Sequence, residues 1–531
     1  MQKRARHLVG IVAIATTGLL LIVLLWGKLQ LGFVRYFDAD ELAYLHWAHN
    51  VFAGRLPYRD FLSYIPPGFL YVVAPLFWVV KGADILAIGR VFSWVVFVGI
   101  CGVLGVLFVL MRGDKGSQNT TGNWGERMWG LLLPGVILAF LPLPADKFLE
   151  IRPDNLAVFF SLVGLVYLVS ALQQPETYQR PALTSRWVWA GIWFGVSAMI
   201  LPKTVPDALF ALLVVVCRWL FGDRHHRNLR LGSVAGFVLG GAIPLIVCMA
   251  WMGSIIRSAG DANVIWYSLT KLPFEVNAIG KIFYLSPDLF FYPNETFYGQ
   301  GGMSVGLIAN HAVWLLGLLY GVYRLMTPWL ARSEDAAGSV WVELLVAGTL
   351  LVNVVLFLNW YPMRNAQYLI PIAVFVALYA ADALWQGVTA CMRRRTITVI
   401  AGGILYVVLL AGMYEVNGRV NQPKFLMTNT QDYLVLTSAL RNIPKDAYVF
   451  DLVGATIYFR DPYYVSGVPF GQWEPYLSRP LPSVTAALEK TDTRYIYEGA
   501  LGRLQSLPAT DVSYILSHYR AVPGLSGWYQ R

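Results

Sequence analysis

Apolar runs of membrane-spanning length recur along most of the chain, separated by short polar turns. Spans are predicted at 8–27, 83–111, 129–144, 153–173, 187–201, 203–221, 231–252, 306–325, 339–358, 365–386 and 396–415, since about twenty apolar residues of helix cross a bilayer core. A further apolar stretch, 67–80, opens on Pro66-Pro67-Gly68 and reads as a re-entrant or juxtamembrane helix. With that stretch left uncrossed, the basic clusters Lys3-Arg4-Arg6, Arg112-Lys115, Arg180-Arg186, Arg224 to Arg230, Arg324-Arg332 and Arg393-Arg394-Arg395 all fall on one side. An excess of Lys and Arg marks the cytoplasmic side, so the N-terminus is expected in the cytoplasm. The opposite face then receives 28–82, 142–154, 201–206, 253–305, 359–364 and everything after about 416.

From about 417 the pattern changes. Charges scatter, and short alternating segments predict helices near 430–442, 483–490 and 509–518 with strands near 447–451 and 494–498. The expected architecture is an α-helical polytopic membrane protein of about eleven transmembrane helices plus juxtamembrane helices. A transmembrane domain over 1–416, containing a first external loop at 28–82, would precede a small extracytoplasmic α/β domain over 417–531. No internal repeat stands out.

Composition agrees. Of 531 residues, 57% are hydrophobic and only 14% charged, against about 25% in soluble domains. The net charge of +10 resides in the loop clusters, which sets topology and argues against a nucleic-acid partner. Cys101, Cys217, Cys248 and Cys391 lie in or beside apolar spans with no zinc spacing and no disulfide framework. The basic N-terminal residues followed by an apolar run read as a signal anchor of a multi-pass cell-membrane protein.

The densest charge chemistry lies in residues 36–68. Asp38, Asp40 and Glu41 fall where a helix would begin, and Asp60 follows a Gly-Arg-Leu-Pro turn. Leu42, Leu45, Val51 and Phe52 alternate with His46, His49 and Asn50, an amphipathic pattern expected to lie along the membrane surface. Carboxylates at a helix N-terminus are stabilised by its dipole, so a capped interfacial helix would account for them as well as a functional loop does. The outer face also collects Asp146-Lys147, Glu150, Arg152-Pro153-Asp154, Lys203, Arg364 and the sequon Asn294-Glu295-Thr296. Arg90 and His311 lie about two turns inside the membrane, and no carboxylate falls near the midplane, where a coupled transporter would place one. Carboxylates beside cations at a membrane surface suit attack by an acceptor hydroxyl on a donor with a phosphate leaving group. A carboxylate accepts the hydroxyl proton, and Arg and Lys stabilise the departing charge. Nucleotide sugars are scarce outside a membrane, which makes a lipid-linked phosphosugar the natural donor.

The first loop, with Asp40-Glu41, Tyr44, Gly54, Tyr58, Asp60 and Pro66-Pro67, resembles that of the GT-C glycosyltransferases, in particular protein O-mannosyltransferases and lipid A aminoarabinose transferases. Arg90, Arg152-Pro153-Asp154 and Arg364 near Tyr368 and Pro371 add to the likeness, which spans about residues 8–415. The resemblance implies transfer of one sugar from a polyprenyl-phosphate donor to a hydroxyl of a glycan, lipid or protein acceptor, usually with inversion. It matches Asp40 to the general base, with Glu41 and Asp38 shaping the acidic pocket and Tyr44, Asp60, Asp154 and Tyr368 lining the substrate pocket.

The chain departs from the aminoarabinose pattern at Ala43, where an Arg is expected, and at Tyr64-Ile65-Pro66, where a Lys is expected. Lys203, Arg364 and Arg152 are therefore the candidates to hold the donor phosphate, with an interfacial, snorkelling role as the alternative for Lys203 and Arg364. The sequence identifies no cofactor for certain; Asp38 and Asp40 have the D-x-D spacing that could hold a divalent metal. His46 and His49 share a helix face, as solvated or capping residues rather than ligands. Trp473, Tyr476, Tyr495 and Tyr497 would stack on glycan or pack a core, and Arg460-Asp461-Pro462 reads as a turn. The alternatives are a lipid-linked-oligosaccharide ligase or polymerase, and a lipid or sugar transporter or flippase.

Overall fold

The computed structural model describes residues 2–63, 65–112, 124–173, 185–221, 227–259, 303–331, 337–360, 366–392, 396–465, 483–499 and 503–531, with isolated positions between 260 and 302. Arg364, the sequon at 294–296, Trp473 and Tyr476 lie outside the described residues.

A helix stands over each predicted span: α1 (Gln2–Val34), α5 (Asp84–Arg112), α6 (Trp124–Phe140), α7 (Pro153–Leu172), α8 (Arg186–Ile200), α9 (Val205–Phe221), α10 (Arg227–Ala259), α11 (Met303–Ala331), α12 (Ala337–Asn359), α13 (Ile370–Met392) and α14 (Thr396–Asn421). Among the described residues, 8 candidate spans are long and apolar enough to cross a membrane. The chain is a multi-pass membrane protein. Between α1 and α5 lie α2 (Ala39–Phe52) and two short helices, α3 (Gly68–Val73) and α4 (Leu76–Val79), which meet at Pro75. At about 1.5 Å per residue, Gly68–Val79 reaches about 18 Å, well short of the roughly 30 Å hydrocarbon core. This stretch does not span, as its proline-rich start implied.

The tail carries α15 (Thr430–Asn442), α16 (Val484–Lys490), α17 (Ala509–His518) and strands β1 (Val449–Asp451), β2 (Tyr495–Tyr497), β3 (Arg520–Ala521) and β4 (Trp528–Gln530). They form one sheet in the order β1-β2-β4-β3, parallel between β1 and β2 and antiparallel elsewhere. Helices and strands therefore lie where the polar pattern predicts them.

Charges inside the bundle pair with each other, as the cost of ionised groups in a membrane demands. At the α5 C-terminal end, Arg112 bonds Asp382, while Arg324 bonds both Glu343 and Asp382. The acidic loop lies at the other end.

One expectation fails here. The helix α2 is not a surface helix: Glu41 to Ala48 and Asn50 are all buried, and of its acidic start only Asp38 and Asp40 keep an accessible edge. Its polar stripe meets protein instead of water, because the tail segment 451–465 packs over it.

Candidate active site

The site begins with a helix cap. Asp38 is the N-cap of α2: its side chain accepts from the Asp40 N–H at 3.0 Å, and its own N–H donates to Glu41 Oε1 at 3.0 Å. This reciprocal capping box satisfies two orphan donors and fixes where the three acids point. Arg90 from α5 donates to Glu41 Oε1 at 2.6 Å, and the Ile151 N–H donates to Glu41 Oε2 at 2.9 Å. Glu41 is 0% exposed, so it ties α2, α5 and the loop before α7 together and offers no face to a substrate.

That loop, 141–152, brings the cations. A 3-10 turn over Ala145–Phe148 presents Lys147, and the Asn155 side-chain amide in the first turn of α7 donates to the carbonyls of Lys147, Phe148 and Glu150. Arg152 reaches Asp40 Oδ2 at 3.0 Å through Nη1 and Asp38 Oδ1 at 3.3 Å through Nη2, while its Nε donates to Glu150. Lys147 Nζ lies 3.3 Å from Asp38 and 2.8 Å from Glu150. Arg35, just past α1, donates to Glu150 Oε1 at 3.0 Å. Among the described residues, no group of three or more His, Cys, Asp or Glu side chains is arranged to hold a metal. Asp38 and Asp40 share the Arg152 guanidinium.

The electrostatics separates the acids. Burial alone would raise the Asp38 pKa, but Arg152 and Lys147 outweigh it and hold Asp38 below the ordinary carboxylate value. Glu150 lies well below its ordinary value, because Lys147, Arg152 and Arg35 overcome its burial. Asp40 moves the other way. Its side chain is 41% accessible, yet dense protein surrounds it at longer range; that desolvation raises its pKa, Arg152 opposes the rise and Asp38 adds to it. Glu41 is pushed up to about 7 by burial against the pull of Arg90. A partly accessible carboxylate with a raised pKa, beside one held ionised, is the pattern expected where a proton is to be accepted.

The other predicted residues divide. Lys203 lies in the turn between α8 and α9, where it pairs with Asp154 Oδ1 at 3.0 Å and lies 3.7 Å over the Tyr368 ring. Asp154 sits in the first turn of α7, two residues beyond Arg152, so this trio adjoins the Asp40–Arg152 pair. Lys203 is 23% accessible. Tyr44 is buried and packs edge-on to Trp47 and Phe69, with its phenol near enough to Arg152 to act on its charge. Asp60 stands apart in an exposed turn, bonded to Arg59 and to the Leu56 N–H. Tyr58, from the same loop motif, adopts a left-handed backbone (φ 68°) and donates from its hydroxyl to the Ile65 carbonyl.

Sequence reasoning placed Lys147 and Glu150 on the same face as the acids without giving them a role, and it passed over Arg35. The available signal was Arg35 itself, a cation at the end of a span where the topology expects few. The tail's contribution was also missed. His46 is buried, its Nε2 paired with Asp461 and its Nδ1 3.0 Å from the Ile457 carbonyl. It is therefore neither solvated nor a cap. Asp432 accepts from the Phe37 N–H at 3.0 Å, immediately before the acids. Lys424 pairs with Asp146 at 3.0 Å, both fully buried. Gly454, with φ +87°, lies so close to α2 that an added Cβ would stand 2.8 Å from Ala43 Cα.

No family model matches the chain, and no curated protein matches it in sequence. Solved structures do. ArnT from Cupriavidus metallidurans bound to undecaprenyl phosphate superposes with a TM-score of 0.56 at 12% identity, covering 97% of each chain. Its apo form gives 0.53 at 14%, covering 96% of each. An Archaeoglobus fulgidus oligosaccharyltransferase, tethered to an acceptor peptide with the NVT sequon, gives 0.51 at 14% over 90% of this chain and 68% of that one. The chain shares the fold of these structures, which are GT-C membrane glycosyltransferases. Within this GT-C fold, the acids and cations described above gather at one end of the bundle, where α2, the 141–152 loop and the α8–α9 turn meet.

Proposed function

We propose that the protein is a glycosyltransferase that moves a single sugar from a polyprenyl-phosphate donor to an acceptor hydroxyl, on the extracytoplasmic face. Asp40 is the general base. The acceptor oxygen attacks the anomeric carbon and passes its proton to Asp40, the bond from that carbon to the phosphate oxygen breaks, and the configuration inverts. Charge appears on the departing phosphate. Arg152 and Lys147, with Lys203 at the edge, are the cations available to receive it; Arg364, outside the described residues, remains a fourth. At an effective dielectric near 20, a cation about 4 Å from the phosphate contributes on the order of 4 kcal/mol before desolvation. The observation that carries this reading is the accessible Asp40 carboxylate held 3.0 Å from a buried guanidinium. The GT-C fold supports it, as does the binding of undecaprenyl phosphate by the similar ArnT.

The test uses the full-length protein in nanodiscs with a panel of undecaprenyl-phosphate hexoses and pentoses, reading release of undecaprenyl phosphate in the presence of envelope glycans and lipids. Removing a general base costs about 10²–10⁴ in rate, so Asp40→Asn should lose that much turnover while still binding undecaprenyl phosphate. Lys203→Ala should weaken binding instead. Near-wild-type turnover by folded Asp40→Asn would refute the assignment.

A further inference from the structure

Glu150 is the most heavily engaged acid in the chain's acidic cluster, and the proposed chemistry gives it nothing to do. It is 0% exposed, so it touches neither donor nor acceptor. Each of its oxygens is nevertheless occupied by a cation. Oε1 accepts from Arg35 Nη1 at 3.0 Å and from Lys147 Nζ at 2.8 Å; Oε2 accepts from Lys147 Nζ at 3.0 Å and from Arg152 Nε. The geometry points to Glu150 as a positioning residue that aims Arg152 and Lys147 at the donor phosphate and sets the charge felt by the base. This inference rests on the function proposed above.

The orientation follows from the shape of the guanidinium. Arg donors lie in one plane in a fixed fork. Once Glu150 captures Nε, the plane of the fork is fixed and the Nη end is presented to Asp40 and Asp38, at 3.0 and 3.3 Å. Lys147 lacks a fork. Its ammonium is held instead by both oxygens of Glu150, within 3.3 Å of Asp38. Arg35 carries no charge to the accessible edge: its Nη1 is given to Glu150, and its guanidinium stacks on Tyr36 at 4.6 Å. It acts as the rear anchor. The backbone reinforces the same arrangement, because Asn155 ties the Glu150 carbonyl to the start of α7 at 3.1 Å.

Two consequences distinguish positioning from simple charge. Neutralising Glu150 makes the cluster more positive, and attraction alone would then bind an anionic lipid more tightly. Positioning predicts weaker binding, since both cations lose the anchor that aims them. The second consequence concerns Asp40, which is faced by Asp38, Glu150, Lys147 and Arg152. Loss of the Glu150 charge alone would lower the Asp40 pKa, but Arg152, the strongest charge acting on Asp40, loses its anchor at the same time, so positioning predicts an acid limb of the turnover profile at higher pH.

The experiment titrates undecaprenyl phosphate against wild type, Glu150→Gln and Glu150→Asp in nanodiscs. Glu150→Asp keeps the charge and withdraws the carboxylate by one methylene, so it still decides the question if Glu150→Gln does not fold. Both variants are expected to bind at least about fivefold more weakly than wild type, and Glu150→Gln should shift the acid limb of kcat/KM upward. Binding within twofold of wild type by Glu150→Asp, or tighter binding by Glu150→Gln, would overturn the positioning role; an acid limb unmoved or shifted to lower pH would overturn the link to Asp40 through Arg152. If Asp40→Asn remains active, the proposed function fails. If Asp40→Asn is inactive while the Glu150 variants bind and titrate like wild type, only this inference fails.

Discussion

The strongest stability prediction concerns Glu41, whose carboxylate is the knot between three elements. Oε1 takes Arg90 at 2.6 Å and the Asp38 N–H at 3.0 Å, and Oε2 takes the Ile151 N–H at 2.9 Å. In Glu41→Gln the shape is kept, but only one oxygen remains. If that oxygen stays with Arg90 and Asp38, the new NH2 faces the Ile151 N–H, donor against donor. If the amide flips, Arg90 and Asp38 lose their acceptor. Either way Arg90, 1% exposed, keeps a full charge with no carboxylate partner on this side. Removing one partner of a buried ion pair costs about 3–5 kcal/mol. The lost charged hydrogen bond, worth about 1.5–3 kcal/mol, is already contained in that figure.

The expected loss is therefore about 3–5 kcal/mol, a factor of roughly 10²–10⁴ in the folding equilibrium at 1.4 kcal/mol per tenfold. Equilibrium unfolding in mixed micelles, titrated with a denaturing detergent at a pH well above the Glu41 pKa of about 7, where the pair is ionised, reads it directly. Arg90→Met with Glu41→Gln should cost clearly less than the sum of the single changes, since Met keeps an apolar side chain beside the Phe37 ring, over which the Arg90 guanidinium lies at 4.5 Å, while removing the stranded charge. A single-variant cost below about 1 kcal/mol, or additive effects, would refute the reasoning.

Two further predictions concern the tail. Gly454→Ala meets a left-handed backbone and a 2.8 Å approach to Ala43 Cα; strain of about 1–3 kcal/mol and overpacking of a similar size should destabilise the fold and displace α2, measured by unfolding and by turnover together. The His46–Asp461 pair predicts a pH trend. Burial lowers the His46 pKa, but Asp461 more than compensates and raises it above 6.5. A raised folded pKa contributes stability that is fully present below the unfolded value and is lost as pH rises through the folded one. Stability should fall from pH about 6.5 upward, and Asp461→Asn should flatten the trend; stability that rises with pH over this window would overturn the pairing.

How legible the molecule was depends on the range of the interaction. The spans, the proline-opened stretch at 66–68 and the short strands of the tail follow from local periodicity and turn chemistry, and each appears in the structure. The acids were legible too, because Asp38, Asp40 and Glu41 crowd a helix start. What local pattern does not carry is the identity of a distant polar partner. The polar stripe of α2 reads as facing water, but His46 bonds residues some 400 positions away, and Asn50 is buried beside it. Lys424 and Asp146 are 278 residues apart and give no sign of each other. Arg152 was placed correctly near the acids, but its bond to Asp40 spans 112 residues and emerges only from the packing of α7 against the first loop.

Exposure orders these pairs in a way that bears on their roles. The pairs Arg35–Glu150, Arg90–Glu41 and Lys424–Asp146 are all within 1% of full burial. A substrate cannot reach them, and breaking one leaves an uncompensated charge, so they serve as a frame. Asp38 and Asp40, at 28% and 41%, and Lys203, at 23%, form the accessible edge. Arg152 belongs to both groups: its side chain is 3% exposed, yet it alone among these cations touches both accessible aspartates. A donor phosphate arriving at that edge competes with Asp40 for the same guanidinium. As Arg152 turns towards the phosphate, Asp40 loses the cation that most favours its ionised form and becomes a stronger base at the moment the acceptor must give up its proton. Undecaprenyl phosphate alone should therefore raise the pKa of Asp40, visible as an infrared carboxyl band that appears at higher pH in wild type and is missing in Asp40→Asn. A band unmoved by saturating lipid would show that the frame holds Arg152 on Asp40 throughout the reaction.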